Sequence, residues 1–402
     1  MEPIDHVESV AVGLWIGAGA AEEEARYAGI SHFTEHMMFK GTARRSALEI
    51  AYDIDKIGGQ INAFTGKEAT CYYVKATRGH FADAADVLTD MLTGSLFAKQ
   101  EMDRERNVIT EEIKMTMDTP DDLVVDTLSD LIFRERSIGN SVLGTPTSLN
   151  RITGKVMREY VYEKYTADRL VISVSGRFDE QEVVDFFSDR FDGLKPVQER
   201  LERKDAEYVP SVRSIRKDIE QAHLCLGTDT ISMADDRYYA LTILNNAIGG
   251  SMSSRLFQSI REQKGLAYSV YSMNVMYSRD GYFAIYAGVS HDNVRKAIAG
   301  IREEMDKLAD KGITEEELES SREQMKGSYI FSQESISSRM FKNGKNLLLL
   351  DRVYDQEELI LGFEEVTLKD VDAVIPLIAD FSRYSAACVS STRADLRQIM
   401  KG

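Results

Sequence analysis

At 402 residues the chain is too long for one ordinary hydrophobic core, and two domains of roughly 190 residues are expected. Apolar residues at 43% and charged residues at 29% are ordinary for a soluble globular protein, and no apolar run is long enough to span a bilayer, so no membrane partner is expected. A formal charge of −17 argues against nucleic acid as a partner, because phosphate contacts need clustered Lys and Arg; the acidity either serves solubility alone or attracts basic peptides.

The first residues, Met1 to Val10, carry Asp5 and Glu8 and lack the basic start and apolar core of a secretory signal, so a cytoplasmic location is expected. Three widely spaced cysteines, Cys71, Cys225 and Cys388, suggest neither a disulfide framework nor a thiolate metal cage. Along the first half, β-rich runs (VESVAVGLWIG, TCYYVKAT, LVISVSG) alternate with helical patterns. HFADAADVLTDML is one such helix, with Phe81, Ala84, Ala85, Leu88, Met91 and Leu92 on a single stripe. The stretch 193–210 holds two of the six prolines and a high density of charge, and reads as an interdomain linker. Beyond it come AHLCLGT and GYFAIYAGV, two further strands.

The halves echo one another. Arg26-Tyr27 is answered by Arg237-Tyr238 and His80 by His291, 211 residues on; Ile152-Thr153 is answered by Val366-Thr367 and Arg169 by Arg383, 214 residues on. A slowly drifting offset over most of the chain implies a duplicated domain. The expected fold class is α+β, with two homologous domains at 1–192 and 211–402, each a largely antiparallel sheet packed with helices.

The sharpest chemical signal is His32-Phe33-Thr34-Glu35-His36, inside an apolar-striped stretch that ends at Gly41 as a helix would. Histidines four apart project from one helical face, so both imidazoles can reach one ion. Glu35 can then reach a water on that ion without ligating it. A catalytic zinc needs a third protein ligand. The stretch from Glu101, read as a helix, puts Glu105, Ile109, Glu112 and Thr116 on one face. Alone, such a Glu-rich helix reads as solvated acid; beside an HxxEH pair, it reads as a ligand source.

HFTEHMMFKGT followed by ERNVITEEI resembles the signature of the pitrilysin (insulinase) family of zinc metallopeptidases, in its processing-peptidase branch. The resemblance covers nearly the whole chain. It implies one zinc ion per chain, held by His32, His36 and Glu112, with Glu35 as general base and Glu105 as a carboxylate supporting the site. Glu111 competes with Glu112 for the ligand role, and the register ERxVIxEE favours Glu112. GGQINAFTGKEATCYYVKA reads as a turn, a strand and a return strand; in the family that strand pairs with extended substrate, which makes Asn62 and Ala63 candidate peptide contacts. In the second half the positions of His32, Glu35 and His36 become Ile243, Asn246 and Ala247, which cannot hold zinc. Its GGSMSSRLFQSIREQKGLAYSV segment is similar to the family's distal substrate element and implies that Arg261 and Tyr268 contact the peptide and the developing oxyanion. Family members usually open with a strand carrying an Asn-Gly turn, which this chain lacks, so the first sheet is expected to lack an edge strand.

The leading expectation is a zinc endopeptidase acting on unfolded peptides or presequence-like segments inside a closed chamber. Two such domains make half a chamber, so the family implies a homodimer, or a heterodimer with a related chain. A non-catalytic core or chamber subunit is the alternative, and the intact His32, Glu35, His36 and Glu112 set speaks against it. A structural zinc site would more usually be closed by cysteines, and none lies near the motif.

Overall fold

A computed structural model describes residues 1–134, 136–191, 193–194, 207–392 and 395–401. Most of the expected linker, 195–206, lies outside the described residues. The chain forms two compact units, one of Met1–Lys114, Arg136–Lys204 and Phe331–Tyr354, the other of Met115–Glu135, Asp205–Ile330 and Asp355–Gly402.

The sheet of the first unit contains β1 (Glu2–Pro3), β2 (Ser9–Ile16), β3 (Gln60–Thr65), β4 (Thr70–Thr77) and β5 (Leu170–Gly176), in the order β1-β5-β2-β4-β3. Its pairings are antiparallel except for β1 on β5, where Glu2 lies opposite Ser175. This corrects the expectation of a missing edge strand: a two-residue strand occupies that edge. It is held by more than its ladder, since Arg339 and Asn343 donate to the two Glu2 carboxylate oxygens at 2.6 and 2.7 Å.

Strand β2 shows why the sheet is covered on both faces. Val10, Val12, Leu14 and Ile16 point into one core with helices α1 (Ile30–Met38), α2 (Ala47–Asp55) and α3 (Phe81–Gly94), as period-2 alternation requires. The apolar stripe read for α3 is buried there in full. Ala11 and Trp15 point the other way, onto the helix Ile336–Leu350 through Met340, Phe341 and Leu348. That helix approaches closely because two crossing positions are glycines. A Cβ on Gly13 would sit 2.3 Å from the Met340 sulfur, and one on Gly344 would sit 2.2 Å from Trp15 Nε1.

The second unit repeats the topology with β6 (Val212–Arg216), β7 (Ala222–Thr230), β8 (Ala267–Met276), β9 (Gly281–Val289) and β10 (Ser385–Ser390), in the order β6-β10-β7-β9-β8, again with one parallel pair, β6 on β10. The duplication and the α+β class are therefore present strand for strand. Helix α4 (Lys99–Asp118) precedes α5 (Pro120–Ile132), and α5 lies on β7 and β10 as the helix Ile336–Leu350 lies on β2 and β5. Each unit is thus completed by a helix from the other half of the sequence. The expected boundaries at 1–192 and 211–402 differ from the compact units by this exchange. Its cause is the second apolar face of each sheet, which a domain cut at the linker would leave bare.

Candidate metal centre

Helix α1 begins after Gly29, whose φ of 90° is left-handed, and the chain turns away at Gly41, with φ of 110°. Ile30, Phe33, Met37 and Met38 bury one face in the core, which leaves His32, Glu35 and His36 on the face turned away from it. The two imidazole centroids lie 4.6 Å apart. Helix α4 is anchored by Met102, Ile109 and Ile113 in the same core, and Arg106 ties it to the chain at the Leu149 and Ile152 carbonyls, at 3.2 and 2.9 Å.

That packing carries Glu112 to the histidines. Its Oε2 lies 3.8 Å from His32 Nε2 and 3.6 Å from His36 Nε2. The side chains of these three residues form the one group of metal-competent ligands among the described residues. Ligand atoms around a tetrahedral zinc with bonds of ~2.0–2.1 Å stand about 3.3 Å apart, so a small contraction suffices. Glu112 Oε2 and His32 Nδ1 are buried with no hydrogen-bond partner, which a group awaiting a ligand explains for the carboxylate. Glu111, by contrast, is 68% exposed in its side chain and pairs with Lys114 at 2.7 Å. Of the two adjacent glutamates, it is Glu112 that lies beside the imidazoles.

Glu105 is buried yet satisfied: it meets His36 Nδ1 at 3.1 Å and the Lys40 ammonium at 2.8 Å. A carboxylate on the far nitrogen fixes the ring's orientation and tautomer and leaves Nε2 free toward Glu112. Thr65 Oγ1 donates to Glu35 Oε2. Burial raises the Glu35 carboxyl above its ordinary value, opposed by the Thr65 bond and His36 and reinforced by Glu112. Burial also lowers His32 to about 4, helped by His36, so its ring is neutral at neutral pH as a ligand must be. Three carboxylates, Glu35, Glu105 and Glu112, gather here, with Lys40 bonded to one of them. A divalent cation matches the remaining charge.

Asn62 and Ala63 lie on β3, the edge strand next to α1. They face opposite sides: Ala63 packs with the core beneath α1, and Asn62 is exposed and accepts from the Ala63 amide at 2.8 Å. Thr65, on the same face as Ala63, is the residue of this strand that touches the cluster, and strand alternation from Ala63 was the signal that would have found it. Lys40 was also missed, although it lies within the motif.

Arg261 and Tyr268 belong to the second unit. The guanidinium carbon lies 5.4 Å from the Tyr268 ring centroid and 4.6 Å from that of Phe257. Tyr268 is 74% exposed on edge strand β8, and the ion contact of Arg261 is a loose 3.5 Å approach to Glu262. Neither is consumed by packing. At the place equivalent to the metal cluster, Ile243, Asn246 and Ala247 are buried and Asn246 donates to Gln324 at 2.9 Å.

A family model described as Insulinase (Peptidase family M16) matches residues 3–146, and one described as Peptidase M16 inactive domain matches residues 151–325. A Bacillus subtilis protein named an uncharacterized zinc protease, YmxG, is 45% identical over 92% of this chain and 90% of its own length. A Streptomyces coelicolor protein, also named an uncharacterized zinc protease, is 36% identical over 93% of this chain and 83% of its own. Among solved structures, a peptidase M16 inactive domain from Pseudomonas fluorescens superposes with a TM-score of 0.90 at 19% identity, covering 98% of this chain and 95% of that one. A protease from Helicobacter pylori superposes at 0.87 with 20% identity, covering 95% and 94%. At these identities the structural likeness speaks for the fold.

Proposed function

The chain belongs to the M16, or insulinase, family of peptidases, and from that premise we propose that it is a zinc-dependent endopeptidase that cleaves unfolded peptides or presequence-like segments in a closed chamber. The observation that carries this is the meeting of His32, His36 and Glu112, with the Thr65-bonded carboxylate of Glu35 alongside. When bound there, one zinc ion supplies Lewis acidity, polarising a carbonyl and making water more acidic.

The protein's own residues do the rest. Glu35 takes the proton of the attacking water and delivers it to the leaving amine, a role typically worth roughly 100- to 10,000-fold. Thr65 holds the Glu35 carboxylate by one oxygen, which leaves the other for that proton. Glu105 orients His36, and Lys40 balances Glu105. An extended peptide adds to the free edge of β3 at Asn62 and Ala63, reading main chain more than side chain. Arg261 and Tyr268 donate to a carbonyl oxygen as it gains charge. In the dimer they serve the site of the partner chain, as the family implies. A non-catalytic core subunit would have no need of the complete cluster.

The test is Glu35→Gln. Hydrolysis of a mixed peptide library should be abolished, as chelator should abolish it in the wild type, while zinc content stays at one per chain. Hydrolysis surviving in the variant removes Glu35 as base; loss of its metal makes Glu35 a ligand instead.

A further inference from the structure

The turn of α1 that precedes His32 has no cap of its own, since its N-cap is Gly29. The amides of that turn are instead taken by a carboxylate from outside the helix. Glu23, only 7% exposed, accepts the Gly29 amide proton at 2.7 Å through one oxygen and the Ser31 amide proton at 2.8 Å through the other. The Ser31 hydroxyl is held at 2.7 Å by the Tyr160 phenol of the helix Gly154–Lys164. His32 is the next residue.

The loop that carries Glu23 is tied elsewhere too. The Ala20 and Ala21 amides donate to the Gly66 and Lys67 carbonyls at 3.2 and 2.7 Å, in the turn directly after Thr65. A Cβ on Gly19 would sit 2.4 Å from the Gly66 carbonyl oxygen, so the loop presses against that turn. Glu22 is bonded by Arg169 at 3.3 Å. Gly29 is equally confined, because a Cβ there would lie 2.6 Å from the Leu143 carbonyl oxygen. One short loop therefore joins the strand end that holds Glu35 to the helix start that presents His32.

We propose that Glu23 is a positioning residue of the metal centre: its buried carboxylate fixes the backbone of residues 29–31 and thereby sets where His32 presents its imidazole. This rests on the zinc reading above. A cap needed for stability alone would be better supplied by a neutral Asn or Ser at the N-cap, since a buried carboxylate costs free energy to desolvate. Burial indeed pushes the Glu23 carboxyl up to about 7, opposed by the two amides, the Ser31 hydroxyl and the charge of Lys67. A carboxylate offers what a neutral cap lacks, two equivalent acceptors spanning two amides of one turn. Glu23 does not touch His32 and acts on it through the backbone; a ligand shifted in this way should cost metal affinity up to the roughly 10- to 100-fold lost when a ligand's direct partner is removed.

Glu23→Gln tests this, because the amide keeps the shape but turns one acceptor into a donor facing an N–H. Zinc affinity of the full chain would be measured at pH 8 by competition with a chromophoric chelator. The ligand-field spectrum of the Co²⁺ form and the melting of the metal-free chain would be recorded alongside. We expect zinc affinity to fall, by up to roughly 10- to 100-fold, with shifted cobalt bands, in protein that still melts cooperatively. A folded variant with zinc affinity within about twofold of wild type and a superimposable cobalt spectrum overturns the proposal, since a purely structural cap would lower only the metal-free melt. If Glu23→Gln does not fold, Tyr160→Phe decides in its place: a weaker zinc site with shifted cobalt bands is expected, and wild-type values overturn the proposal. Wild-type protein that binds no zinc would sink the metal centre itself, and is seen before any variant is measured.

Discussion

Replacing Glu112 by Gln should separate the metal from the fold. The carboxylate sits 3.6–3.8 Å from two imidazole nitrogens with its inner oxygen unpartnered, so no hydrogen bond is lost when it becomes an amide. What is lost is an anionic ligand. Structural zinc sites with four ligands bind with about 10–16 kcal/mol, or about 2.5–4 kcal/mol per ligand, which predicts zinc affinity weakened roughly 100- to 1,000-fold. At free zinc 100 times the wild-type Kd, binding stabilises the wild type by about 2.7 kcal/mol and the variant by about 0.4 kcal/mol or less. For a unit of this size the difference is roughly 5–9 °C in Tm. Without metal the order should reverse slightly, because three gathered carboxylates become two. The assay is a thermal melt with and without zinc, with metal content measured on the same samples. Glu111→Gln is the control: its side chain is solvated and paired with Lys114, and it should melt as wild type does. Retention of zinc by Glu112→Gln, or its loss from Glu111→Gln, refutes the ligand set.

A fragment of residues 1–192 should not fold alone, because the helix Ile336–Leu350 that covers Ala11 and Trp15 would be missing; co-expression with 193–402 should restore soluble protein, and a monomeric, cooperatively melting fragment would contradict the exchange. The Glu23 carboxyl also predicts a pH dependence. Its folded value is raised to about 7 from the ordinary 4.5, so its contribution to stability is fully present below about 4.5 and is lost as pH rises through 7. Lys67, Ser31 and Tyr160 are the groups that face it. Denaturant unfolding of metal-free wild type should therefore lose on the order of 3 kcal/mol relative to Glu23→Gln between pH 4.5 and 8, and a flat difference would exclude the buried titration. Finally, Arg261→Ala/Tyr268→Phe should lower turnover with zinc content unchanged, and mixing that chain with Glu35→Gln should restore activity through a site shared between subunits. If mixed dimers form and stay inactive, the two elements act within one chain.

Much of this protein could be read from spacing alone, for a local reason. Residues four apart on a helix share a face whatever surrounds them, so His32 and His36 converge on any fold that keeps α1, and the unbroken apolar run VAVGLWI marks a strand buried on both sides. The repeated landmarks likewise gave away a duplicated α+β architecture, since strand order is inherited with the sequence. Spacing says which way a side chain points but not what it meets. Helical register puts Glu112, not Glu111, on the face of Glu105 and Ile109, and the packing of α4 through Ile109, Ile113 and Arg106 is what turns that face toward the imidazoles and leaves Glu111 in water. Alternation from Ala63 gives the face of Thr65 but not its meeting with Glu35, and the contacts of Lys40 with Glu105 and of Glu23 with the Ser31 amide join segments whose separation in sequence is arbitrary. The exchanged helices are the largest case. Both are amphipathic in sequence, and which sheet each one covers was decided by the apolar faces of β2 and β7, each of which needs a partner that its own half of the chain does not supply.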